Sequence, residues 1–153
     1  MKQEDFEALL ADVTKKIDGN ISWEIDEDHS PVVEFRIEVI SQARYPILVK
    51  GSYNPVPAVQ ALSYVLIHRS CGRIYGLDLG KDHRNPSGSN VGKKHKHRWS
   101  ETFHDKEAYV PKDITALVND PVGVWQQFCK EASLTHNGVM YLPPPFQLEL
   151  EML

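Results

Sequence analysis

The chain has 153 residues, 41% of them hydrophobic and 25% charged, with a formal net charge of -4 and a pI near 6.0. These values describe one globular domain and exclude a general nucleic-acid coat, which is strongly basic. No apolar run approaches the ~18 residues of a membrane-spanning helix, and Met1-Lys2-Gln3-Glu4-Asp5 lacks a secretory apolar stretch. A cytoplasmic location is therefore expected, with no membrane partner and with Cys71 and Cys129 reduced.

Gln3–Asp18 reads as an amphipathic helix, because Phe6, Leu9, Leu10, Val13 and Ile17 recur at spacings of three and four. Three strands follow: Ile21–Ile25, Val33–Ile40 and Tyr45–Tyr53, the second alternating cleanly between apolar and charged residues. Leu62–His68 and Arg73–Leu79 form a hairpin around Ser70-Cys71-Gly72. Pro86–Gly92, rich in Gly, Ser and Asn, cannot pack a core and is expected to be mobile. Lys94–Glu101 is a further strand with His95, His97 and Trp99 on one face and Lys96 and Arg98 on the other. Lys112–Val118 reads as a short helical turn. Asp120-Pro121 then opens a second helix that His136-Asn137-Gly138 ends. The fold class is α+β: one domain over 1–142, an antiparallel sheet of about six strands flanked by an N-terminal and a C-terminal helix, and a Pro-rich tail over 143–153.

Charge is unevenly spread. Residues 1–40 hold eleven acids against four Lys/Arg, whereas Lys81 to Arg98 holds six Lys/Arg (Lys81, Arg84, Lys93, Lys94, Lys96, Arg98) and only Asp82 as an acid. Three of the seven histidines, His83, His95 and His97, fall within this basic stretch. Metal-free cleavage of RNA needs a base for the 2′-hydroxyl, an acid for the leaving oxygen and cations against the phosphorane charge. Imidazoles suit the first two roles and Arg or Lys the third. The expected catalytic residues are thus His95 and His97, with His83 auxiliary. Arg84, Lys93, Lys94, Lys96 and Arg98 are the expected phosphate contacts, and Trp99 is a base-stacking candidate. No metal or other cofactor is favoured, although His95-x-His97 with Asp78, Asp82, His83 or His104 is a third reading, a zinc- or manganese-dependent hydrolase.

Asp82-His83-Arg84-Asn85-Pro86, Lys94-His95-Lys96-His97 and the helix from Pro121 resemble the small bacterial toxin family called TumE, over roughly residues 62–132. There a turn of Asp-Asn-Ala-Pro-His type precedes a His-His-Lys-His-like strand and a late helix. Here the histidine precedes the proline, and Lys94 replaces the first histidine of the strand motif. The resemblance implies a bacterial protein that acts on RNA and has a cognate antitoxin. The alternative is a non-catalytic inhibitor or regulator in bacterial defence or phage conflict, binding a protein or nucleic acid through the basic loop 81–98. Sequence leaves the substrate, the oligomeric state and the choice between enzyme and binding module open.

Overall fold

The computed structural model describes residues 1–146; the end of the expected Pro-rich tail, 147–153, lies outside the described residues. The first helix, α1 (Gln3–Ala11), buries Phe6, Leu9 and Leu10. It is shorter than its periodicity predicts. Lys15 folds back so that Nζ donates to the carbonyls of Leu9, Leu10 and Asp12 at 2.7, 2.8 and 2.7 Å, which satisfies the helix end. Burial pushes the Lys15 ammonium down to about 8, against the opposing pull of Asp12, so it remains a charged donor at neutral pH. Val13 is 78% exposed, and Ile17 is buried in a short strand, β1 (Lys16–Asp18). Ile17 met the helical spacing for a different reason: it faces the same core from an extended segment. Lys15→Met should cost about 2 kcal/mol in urea unfolding, since three carbonyls lose a charged donor. A loss below about 0.5 kcal/mol would show that the helix end does not depend on it.

The main sheet is antiparallel and contains β2 (Glu24–Ile25), β3 (Val33–Val39), β4 (Ile47–Asn54), β5 (Ala61–His68), β6 (Gly72–Leu79), β7 (Lys94–Arg98) and β8 (Ala108–Tyr109), in sequence order. The second helix, α2 (Pro121–Glu131), starts as expected, with the Asp120 carboxylate accepting from the Gly123 N–H at 3.0 Å. It ends earlier than expected, because Thr135–Asn137 forms β9, which pairs in parallel with β1. The strand expected over Ile21–Ile25 is reduced to β2; Ile21 instead bridges Met140. Lys112–Val118 contains no helical turn. The architecture is a single α+β domain, with seven strands in the main sheet where about six were expected. No described helix is long and apolar enough to cross a membrane.

Register divides the sheet into two faces. Tyr64, Leu77 and Lys96 form one cross-strand row, and Leu66, Tyr75 and Arg98 a second. This face meets α2: the Tyr64 ring lies 5.1 Å from Trp125 and 5.7 Å from Phe128, and Tyr75 lies 5.3 Å from Phe128. On the opposite face, Ser63, Asp78 and His95 form one row, and Val65, Gly76 and His97 the next. The alternation of β7 therefore puts Lys96 towards the helix and both histidines away from it.

Candidate metal centre

The hairpin of β5 and β6 carries Ser63 and Asp78 to paired positions, and β7 adds His95 directly opposite Asp78. His83 arrives from the segment between β6 and β7. Gly80 starts that segment at φ +87°, and a Cβ there would meet the Gln60 carbonyl oxygen at 2.2 Å, so only glycine makes this exit from β6. The segment is not the loose connection its composition suggests. The Gly80 N–H donates to the Lys93 carbonyl at 2.8 Å, Val91 N–H to His83 at 2.8 Å, and Asn85 N–H to Ser89 at 2.9 Å. The Asn85 side chain also bonds both the N–H and the carbonyl of Ala108 in β8. Backbone pairing does the ordering here, and composition does not reveal it.

The three imidazoles converge. Ring centroids lie 5.4 Å apart for His83 and His95, 4.6 Å for His83 and His97, and 5.0 Å for His95 and His97. Each ring is fixed through one nitrogen. His95 Nδ1 lies 2.9 Å from the Gly92 carbonyl, His97 Nδ1 2.7 Å from the Asp105 carbonyl, and His83 Nε2 2.7 Å from the Lys106 carbonyl. A carbonyl only accepts, so these three nitrogens carry the proton. The second nitrogen of each ring, Nδ1 of His83 and Nε2 of His95 and His97, is the one left for a ligand, and at His95 and His97 it faces Asp78 Oδ2.

One donor atom from each histidine lies within 4.8 Å of the others. Some point therefore lies within about 2.8 Å of all three, and closing to the 2.0–2.1 Å of a zinc–imidazole bond needs shifts of about 0.7 Å. Asp78 Oδ2 joins them, 3.2 Å from His95 Nε2 and 3.5 Å from His97 Nε2. Burial disfavours the Asp78 charge. The contacts to His95 and His97 and the Ser63 hydroxyl, which donates to Oδ1 at 2.5 Å, outweigh burial and hold the carboxyl well below the usual carboxylate range. Arg73 stands further off, with Nη1 3.7 Å from Asp78 and Nε 3.1 Å from an Asp105 carboxylate oxygen. The arrangement is thus three imidazole nitrogens around one point, with an ionised carboxylate beside two of them. A single divalent cation would take the three nitrogens at once.

The other expected site residues lie elsewhere or do other work. Lys96 is fully buried, and its Nζ pairs with Asp113 at 2.6 Å and with Glu131. Arg98 pairs with Glu7 at 2.5 Å and with Glu131 at 3.5 Å. Neither cation faces the imidazoles, because strand alternation puts them on the α2 side. Trp99 is a core residue, 5% exposed, donating to the Met1 carbonyl and stacked on His104 at 4.6 Å. It offers no free face to a base. Lys93, Lys94 and Arg84 are exposed, and the Arg84 guanidinium donates to the Gly88 carbonyl at 2.6 Å. His95 and His97 are each 1% exposed and His83 is half-buried, so the rings meet beneath the His83 segment and not in an open cleft.

Sequence reading did not find Ser63, Arg73 or Asp105. Counting back from the loop at 69–71 would put Ser63 opposite Leu77; a bulge between Leu66 and Ile67, which has no sequence signal, brings it opposite Asp78. Arg73 and Asp105 carry no comparable local signal.

A family model described as "Family of unknown function (DUF6978)" matches residues 1–134. The chain belongs to the DUF6978 family. No curated protein and no solved structure matches it. The matched span holds every residue of the centre, from Ser63 to Lys106, in this DUF6978 member. The match does not bear on the likeness to TumE toxins.

Proposed function

We propose that this protein binds a divalent metal ion of the zinc type through His83, His95, His97 and Asp78. One observation carries the reading: three imidazoles converge, with the Asp78 carboxylate beside two of them, while each ring's other nitrogen donates to a backbone carbonyl. That outer bond fixes the ring and its tautomer, as in metal-ligating histidines generally. Three nitrogens and one oxygen suit zinc or cobalt over magnesium or calcium. Four protein donors fill a tetrahedral shell, so the centre is closed, and its role is to tie the segment from Gly80 to Lys93 and the turn at Asp105–Lys106 to the sheet.

Elemental analysis of protein saturated with zinc and then desalted tests this. About one equivalent per chain is expected, and cobalt should give the intense visible bands of a tetrahedral site. Less than about 0.1 equivalent would sink the proposal.

A second reading concerns the cytoplasmic RNA partner and the alternative protein partner expected from sequence. Lys81, Arg84, Lys93 and Lys94 are exposed and make no ion pair among the described residues, in contrast to Lys96 and Arg98. This favours contact with a polyanion. RNA cleavage by the same imidazoles draws support from their meeting but needs a scissile phosphate to reach rings that are 1% exposed. Incubating RNA with the wild type and with His95→Ala/His97→Ala decides it; equal cleavage excludes the imidazoles as catalysts.

A further inference from the structure

The four donors of the centre come from two kinds of backbone. Asp78, His95 and His97 sit on paired strands, β6 and β7, with Asp78 and His95 opposite each other. His83 alone comes from the connecting segment. The strands thus supply a fixed three-donor platform, and the fourth ligand is a latch.

The latch is embedded among cations. Lys81 and Arg84 flank His83 within two residues, and the same segment returns through Lys93 and Lys94. Lys93 is hydrogen-bonded to Gly80, Lys94 is opposite Leu79, and Arg84 bridges Asn90. These four cations therefore occupy one hairpin. They face only Asp82 as an exposed acid in that hairpin, and no described carboxylate lies within ion-pair distance of any of them. Like charges gathered this way repel one another unless an anion sits among them. By contrast, Arg73, Lys96 and Arg98 on β6 and β7 each meet a carboxylate.

We propose that the hairpin from Gly80 to Lys94 binds phosphate groups, and that metal binding at His83 controls that binding by fixing the hairpin against the sheet. The inference rests on the metal centre proposed above. Backbone bonds already align Lys81 and Arg84 with Lys93 and Lys94, and a metal ion at His83 would tether that ordered hairpin to the platform. It also adds positive charge beneath them. Each ligand then raises the other's affinity by the same factor. The phosphate can belong to a free anion or to an RNA backbone, and a chain of phosphates matches four cations better than one does.

The test uses the full chain, stripped with a chelator and then reloaded with zinc, with the metal content measured in each sample. Probes are inorganic phosphate, tripolyphosphate, a labelled 20-nucleotide single-stranded RNA, and polyglutamate of similar charge. The expected result is about tenfold tighter RNA binding in the zinc form, within the usual 5–150-fold range of coupled sites. The logarithm of affinity should fall with log salt at a slope of about -2 to -3 for four phosphate contacts. Lys93→Glu/Lys94→Glu should lose RNA binding and keep one zinc. His83→Ala should remove the difference between the stripped and reloaded forms. Binding of phosphate or tripolyphosphate but not RNA supports the site and assigns it to a free anion. Equal RNA affinity with and without a measured equivalent of zinc overturns the coupling and leaves the metal centre standing. Binding of polyglutamate with no binding of any phosphate probe overturns the phosphate assignment in favour of an acidic protein. Failure to take up zinc overturns the metal centre and the coupling together.

Discussion

Zinc should raise the thermal midpoint of this protein by about 8–16 °C, and replacing His95 or His97 with Gln should abolish that rise. The magnitude follows from mass action. A ligand present at a thousand times its dissociation constant stabilises the folded chain by about 4 kcal/mol, and a domain of this size shifts by about 2–4 °C per kcal/mol. Glutamine keeps an amide donor for the Gly92 or Asp105 carbonyl but offers no imidazole lone pair to the centre. The informative quantity is therefore the zinc-dependent shift within each variant, not the midpoint of the metal-free protein, which also registers lost packing. Asp78→Asn should behave similarly, because the amide keeps a partner for Ser63 while losing the charge. His83→Gln should leave a weaker response, since the platform of Asp78, His95 and His97 remains on β6 and β7. Differential scanning calorimetry with and without chelator measures all four. A wild-type midpoint that zinc does not move would exclude the centre as a stabilising element.

The second large effect is expected on the other face of β7. Lys96→Met should destabilise the protein by about 3 kcal/mol and leave polyanion binding unchanged. The Lys96 ammonium is fully buried between Asp113 and Glu131 and lies 5.4 Å above the Tyr75 ring. Glu131 also accepts from the Tyr109 hydroxyl at 3.0 Å and contacts Arg98, which pairs with Glu7. Removing one partner of a buried pair costs about 3–5 kcal/mol because the remaining charge is stranded. The side chains of Asp113 and Glu131 are 40% and 30% exposed, so water relieves part of that cost and the low end of the range applies. Burial tends to raise the Asp113 carboxyl, but the bond and charge of Lys96 outweigh it and hold it low. The folded carboxyl is thus more acidic than the unfolded one. Its contribution is complete above the unfolded value of about 3.9 and is lost as pH falls through the folded value. The deficit of Lys96→Met should accordingly shrink in acid, as Asp113 protonates. Urea unfolding at pH 7 and pH 3 measures this. A cost below about 1 kcal/mol at pH 7, or weakened RNA binding by the variant, would return Lys96 to the role of a phosphate contact.

These two residues mark where local pattern stops being informative. The alternation of His95, Lys96, His97 and Arg98 was legible, because a strand has a period of two whatever surrounds it. Hence the sequence itself determined that the two histidines share a face and that the lysine and arginine share the other. It also determined the α+β class, the hairpin at Ser70–Gly72 and the start of α2 at Asp120-Pro121, since each rests on contacts within a few residues. Which face of β7 met the helix was not local information. Only tertiary packing decided that α2 covers the Lys96 side, which turned two expected phosphate contacts into ion pairs, a buried one of Lys96 with Asp113 and Glu131 and a partly exposed one of Arg98 with Glu7. Packing likewise placed the carbonyls of Asp105 and Lys106 against the imidazoles and hairpin register placed Ser63 beside Asp78, converting a basic, histidine-rich stretch into three converging imidazoles beside a buried carboxylate. The reason is general: side-chain direction follows from neighbours in the chain, whereas burial and coordination depend on segments that meet only after the sheet has formed.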